Sequence, residues 1–169
     1  MKKHLFTFIF TFILCISSKP AFTQDVLIDY TYLGSRTRIE LVSVLFIYVD
    51  YDIDLYKIRY QTLDVHMQPD TASGLLVVPK VPADTKLPLV LYAHGTTTGP
   101  DDVPSNLKGG YEVAMGYAGF GFATLAPDYL GLGESDGFHP YLHAASEASA
   151  SLDMVIAGFE FLEFNDPDV

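Results

Sequence analysis

The chain has 169 residues, room for one domain of ordinary size and not for two. Hydrophobic residues make up 49% and charged residues 18%, which calls for a packed core and excludes a disordered chain. Twenty-one acids against ten bases give a formal charge of −11, a surface that would repel phosphate backbones, so nucleic acid is not an expected partner.

In chain order, residues 1–24 open with Lys2 and Lys3, run through the apolar "HLFTFIFTFILCIS", and end in "SKPAFTQ" with small residues at Ala21 and Thr23. This is the basic start, apolar middle and small-residue exit of a secretory signal peptide. The apolar core is too short to favour a permanent membrane span, so none is expected after cleavage. An uncleaved anchor is the alternative, and bulky Leu14 before Cys15 disfavours a lipid-anchored form. Cleavage near Thr23 would remove three lysines and no acid, leaving a formal charge of −14. It would also remove Cys15, the single cysteine, so no internal disulfide is expected in the exported chain.

Residues 38–49, "RIELVSVLFIYV", place Ile39, Val42, Leu45, Phe46 and Val49 at helical spacing, although the β-branched content also allows a strand. "LYKIRYQTL" (55–63) alternates Tyr56, Ile58 and Tyr60 with Lys57, Arg59 and Gln61, as in a half-buried strand, and "ASGLLVVP" (72–79) follows as a second. Together they suggest an antiparallel pair at the edge of a sheet. "LPLVLYAHG" (87–95) holds a continuous apolar run ended by Gly95, the pattern of a strand buried on both faces. A helix is expected over 111–121, ending near Gly119 or Gly121, then a short buried strand over 122–127. From Pro140, Leu142, Ala145, Ser149, Leu152, Ile156 and Phe159 recur at steps of three and four, an amphipathic helix reaching about Glu163. Its small residues, "AASEASAS", would let the backbone lie close to a sheet. Strand, helix, strand, helix in this order implies parallel pairing and an α/β fold.

Gly133-Glu134-Ser135-Asp136-Gly137 matches G-x-S-x-G, the pattern of a nucleophile elbow, which needs a strand running up to the first glycine and a helix straight after the serine. "DYLGL" separates the strand from Gly133, and "DGFHP" after Ser135 forbids an immediate helix. Both halves of the requirement fail, so Ser135 is not the expected nucleophile.

The whole run "APDYLGLGES" resembles the loop after the fourth strand of α/β-hydrolases, here Asp128, Gly131, Gly133 and Ser135. "LVLYAHGTTTGPDDVPSN" resembles the third strand and oxyanion loop of that superfamily, and "TASGLLVVP" and "GFHPYLHAASEASASLDM" are similar to its secreted lipase and esterase branch. The resemblance, over roughly residues 25–165, implies an N-terminal half of a hydrolase sheet: an edge hairpin, two parallel core strands and flanking helices, stopping before the nucleophile strand. It implies a serine carboxylic-ester hydrolase that carries the oxyanion loop, His94, Gly95, Thr96 and Thr97, while the catalytic serine, acid and histidine are absent. Thr96 is the first choice for the oxyanion N–H and Thr97 the second. The implied substrate is a small-molecule or lipid ester, with no cofactor. A non-catalytic remnant or binding module and a fragment of a peptidase of the same fold stay open.

Other residues carry weaker signals. His139 and His143 stand four apart, but no Glu fills the H-E-x-x-H pattern and Pro140 puts His139 outside the helix, so a helix-start turn is preferred to a metal site. Asp128 is expected to accept from the N–H groups of Leu130 and Gly131 in the following turn. Asp101, Asp102, Glu134 and Asp136 read as solvated loop charge, and the aromatics from Tyr48 to Tyr60 as packing rather than sugar stacking.

The leader is open to direct test. Mass spectrometry of the secreted or periplasmic product is expected to find Gln24 or a near neighbour at the N-terminus; soluble cytoplasmic protein with an intact Met1 would contradict the export reading.

Overall fold

The computed structural model describes residues 25–83 and 85–165, so the signal peptide expected over 1–24, Cys15 included, lies outside the described residues. Five strands form one sheet: β1 (Leu27–Arg36), β2 (Ile53–Leu63), β3 (Pro69–Pro79), β4 (Leu89–Leu91) and β5 (Ala123–Pro127), in the order β1-β2-β3-β5-β4. The pairs β1–β2, β2–β3 and β3–β5 are antiparallel; β4–β5 is parallel. The antiparallel pair and the two parallel strands of the sequence reading are all present. An outermost strand, β1, for which the sequence reading assigned nothing, lies beyond β2.

Three helices flank the sheet: α1 (Arg38–Leu45), α2 (Tyr111–Gly119) and α3 (Ala144–Asn165). Alternation along the strands splits the core in two. Ile58, Tyr60, Leu76 and Leu125 face Met154, Ala157 and Phe161 of α3. Ile53, Leu55, Leu75 and Val77 meet Leu41 of α1 and Ala114, Met115 and Ala118 of α2 on the other side. This is a three-layer arrangement with the sheet in the middle.

Local chemistry explains the helix limits. Thr37 and Glu40 form a reciprocal capping box at the start of α1, the Thr37 hydroxyl accepting from Glu40 N–H at 3.3 Å and the Glu40 carboxylate from Thr37 N–H at 2.7 Å. The helix expected over 38–49 stops at Leu45 because Phe46 turns left-handed, φ 56°, and returns its N–H to Val42. At the end of α2, the chain passes so close that Asp50 and Tyr51 both donate to the Gly119 carbonyl, at 2.9 and 3.0 Å.

Two expectations are corrected. Burial on both faces holds throughout β5 but not for β4, whose three residues are half-buried or exposed at the sheet's outer edge. The last helix starts at Ala144 rather than Pro140, and its apolar stripe faces the other way: Leu142, Leu152 and Phe159 are 75%, 64% and 51% exposed. The inward face is Ser146, Ala150, Met154, Ala157 and Phe161. Close approach to the sheet decides the rotation. A side chain on Gly158 would come within 2.9 Å of Leu125, so the small-residue face is the one that fits. The aromatic run is also mixed, with Tyr60 fully buried as packing and Tyr48 70% exposed.

Gly119→Ala gauges how tightly α2 is seated. The new Cβ would stand 2.8 Å from Val49 Cβ, a stiff, fully buried side chain. Overpacking costs about 1–3 kcal/mol, against at most about 1 kcal/mol gained in helix preference. Urea unfolding is therefore expected to show a net loss of about 1 kcal/mol; a gain in stability would contradict this packing.

Candidate active site

The carboxyl ends of β4 and β5, a parallel pair, release two loops on the same side of the sheet, as α/β sites require. Asp128, the first residue after β5, is fully buried. Its carboxylate accepts from the Ser73 hydroxyl of β3 at 2.6 Å and from Ser105 N–H in a short 3-10 helix (Pro104–Asn106) at 3.0 Å. The expected bonds to Leu130 and Gly131 N–H are not formed. Gly131 N–H donates instead to the Ser135 hydroxyl at 2.9 Å, and Asp128 reaches out of its own loop to tie three segments together. Burial raises the Asp128 carboxyl above the usual range, against the opposing pull of Ser105, Ser73 and the nearby His94 ring.

The network continues outward. The Ser73 hydroxyl accepts from Glu134 N–H at 3.0 Å, and the Glu134 carboxylate pairs with Lys57 at 3.0 Å and Arg59 at 3.2 Å on β2. Glu134 is thus an anchor rather than solvated loop charge. Gly133, φ 61°, donates its N–H to the Pro100 carbonyl at 2.9 Å, and any Cβ there would run into Asp128 and Ser73. Asp102 accepts from the Thr98 N–H and hydroxyl, bonds that hold its carboxyl below the usual range.

His94 is buried, one ring nitrogen 2.7 Å from the Gly95 carbonyl and the other 3.3 Å from the Asp128 carbonyl. Its ring packs on Tyr129 with centroids 4.7 Å apart. Tyr129 holds φ 73°, a left-handed conformation uncommon for an aromatic residue. Its phenol is pushed up to about 12, first by burial and then by the charges of Glu147 and Tyr92.

These elements enclose a cavity of about 230 Å³ lined by His94, Gly95, Thr96, Thr97, Tyr129, Leu132, His139, Tyr141, Leu142 and Glu147. All four oxyanion-loop candidates line it; Asp128 lies beneath. Neither Thr96 nor Thr97 N–H finds an acceptor among the described residues. Ser135 is not among the lining residues. It lies in irregular chain nine residues before α3, its hydroxyl occupied by Gly131 N–H. His139 and His143 both precede α3. The first bonds the Leu130 carbonyl at 2.8 Å, and the second caps α3, its Nδ1 accepting from Ser146 N–H at 3.3 Å. Sequence reasoning had not placed Tyr129, Tyr141 or Glu147 at the site. The signal for Glu147 was its position in the first turn of a helix that starts beside the β5 loop.

Order and direction of the strands, with helices on both faces, define a partial α/β-hydrolase-like fold. The structure is similar to a Legionella pneumophila protein solved as a presumed hydrolase, with TM-score 0.78 and 33% identity over 83% of this chain and 40% of that one. It is similar also to the rice cell wall degrading esterase LipA from Xanthomonas oryzae, with TM-score 0.73 and 29% identity over 86% of this chain and 40% of that one. Candida antarctica lipase A shares the fold at TM-score 0.54 and 16% identity, over 86% of this chain and 33% of that one. The chain therefore spans about 40% of the first two proteins' lengths. No family model and no curated protein matches the sequence.

Asp128→Ala would strip partners from the buried Ser73 hydroxyl and Ser105 N–H, at about 1–3 kcal/mol each. Urea unfolding is expected to register a loss of about 2–5 kcal/mol; a loss below about 1 kcal/mol would contradict the anchor role. The pH dependence has a definite sign. The folded state keeps the Asp128 proton to higher pH than the unfolded chain, so stability from this group falls as pH rises from about 4 through the raised folded value. The gap between wild type and Asp128→Ala should narrow across that interval.

Proposed function

We propose that this chain is the oxyanion-bearing portion of an exported serine carboxylic-ester hydrolase, whose nucleophile, acid and histidine lie outside it. The observation that carries the reading is that Thr96 and Thr97 line the cavity at the carboxyl end of a parallel strand while their N–H groups have no acceptor among the described residues. Such donors stabilise the negative oxygen that develops as a serine attacks an ester carbonyl, and a second donor comes from the residue after the serine. His94, buried and tied to the Gly95 and Asp128 carbonyls, supports this loop from below and does not act as the base. The ester class rests on the similarity to the Xanthomonas cell wall degrading esterase. Export rests on the basic and apolar leader. The substrate is a small-molecule or lipid ester, and no cofactor is needed for chemistry of this kind.

Two assays test this. The chain alone should release no nitrophenol from a nitrophenyl ester above the blank, with or without Ser135→Ala; turnover abolished by that substitution would make Ser135 the nucleophile. In a protein where the chain continues into a serine-bearing strand, Thr96→Pro removes one N–H and should lower kcat by roughly 100- to 1,000-fold, the measured scale for an oxyanion donor. Ser135→Ala should leave most of that activity. Retention of full activity by Thr96→Pro and by the matching Thr97→Pro would overturn the oxyanion assignment.

A further inference from the structure

We propose that Tyr141 is a positioning residue that holds the oxyanion loop in place through a single bond between its hydroxyl and that of Thr96. The inference rests on the oxyanion reading of Thr96 and Thr97 and adds a partner to it. The loop has little else to fix it. A Cβ placed on Gly95 or Gly99 would meet nothing within 4 Å, so no side chain packs there, and the bonds to their carbonyls, from the His94 ring, Thr97 and the Asp102 N–H, come from the loop itself. His94 is fixed by burial, and Thr98 by its two bonds to Asp102. Between them, Thr97 reaches only the Gly99 carbonyl, at 3.4 Å and within the same loop. Thr96 has one side-chain partner among the described residues, the Tyr141 hydroxyl at 2.9 Å.

Tyr141 can serve as a fixed post because its own backbone is tied down. Its N–H donates to the His139 carbonyl at 2.9 Å, and His139 in turn bonds the Leu130 carbonyl at 2.8 Å. The backbone of Phe138 and His139 lies against Gly131, where any side chain would collide with it. The relay therefore runs from the β5 loop through His139 and Tyr141 to Thr96. It sets the distance between the N–H donors and the rest of the cavity, and Tyr141 touches no reacting atom.

The test uses the protein labelled with ¹⁵N and measures backbone relaxation at Thr96 and Thr97. In wild type both amides should show the order parameter of a rigid backbone, about 0.85. Tyr141→Phe keeps the ring and deletes only the oxygen, and at 56% exposure that loss should leave the fold intact. Both order parameters should then fall toward the flexible range, below about 0.6, while Thr98 stays unchanged. Thr96→Val should reproduce the effect at Thr97. The double variant should be no looser than either single one, which a general loss of structure would not give. Unchanged order parameters in Tyr141→Phe and in Thr96→Val would overturn the proposal. That outcome is separable from failure of the oxyanion reading, which is decided by the kinetics of Thr96→Pro whether or not Tyr141 holds the loop.

Discussion

A buried carboxylate at the end of β5 holds the functional side of this molecule together. Asp128 is fully enclosed, an expensive place for a charge, and it is accommodated because Ser73 and Ser105 supply donors from two other segments. Through Ser73 it fixes the amide of Glu134, and Glu134 reaches Lys57 and Arg59 on β2. Through Ser105 it fixes the far end of the loop that begins at His94. Without this node the two loops that line the cavity would be joined by the Gly133 to Pro100 bond, by the His94 ring at the Asp128 carbonyl and against Tyr129, and by Tyr141 to Thr96. The outer ion pairs are partly exposed and each contributes little. The buried end of the network matters most, because an unpaired polar group there costs far more than a surface pair gains.

The same economy of space shapes α3. Ala150, Ala157 and Gly158 let its backbone approach the sheet, and Met154 and Phe161 fill the remaining core. The larger apolar residues Leu152 and Phe159 are left on the outside, on the helix whose first turn brings Glu147 to the cavity. At the edge of the sheet β4 is paired on one side only, over three residues. That exposed edge and the apolar face of α3 agree with a chain that spans about 40% of the hydrolases it is similar to.

Much of this was legible in the residues. Alternation in 55–63, the apolar run at 89–91 and the order of elements pointed to the sheet and its parallel pair, because period and burial are local properties. The capping pair Thr37 and Glu40 also marks the start of α1 in the sequence. β1 was missed although Ile28, Tyr30 and Tyr32 alternate with Asp29 and Thr31, a strand signal just after the apolar N-terminal run. The rotation of α3 could not be read from apolar spacing, since Leu152 and Phe159 formed the stronger stripe and steric room chose the weaker one. At the site, His94 to Thr97 and the Asp128 loop were picked out by motif, but the partners were not. Asp128 bonds residues 55 and 23 positions away in the chain, Ser73 and Ser105, and such pairings depend on strand register rather than on neighbouring residues.

The most direct measurement is the titration of the Asp128 carboxyl carbon by NMR, followed together with the amide proton of Ser105. The expected result is a midpoint above the ordinary carboxylate range, with the Ser105 amide shifting at the same midpoint, as the 3.0 Å bond between them requires. An Asp128 that titrates as a free carboxylate, with a Ser105 amide that does not respond, would show that the Asp128 carboxylate does not tie the two loops together.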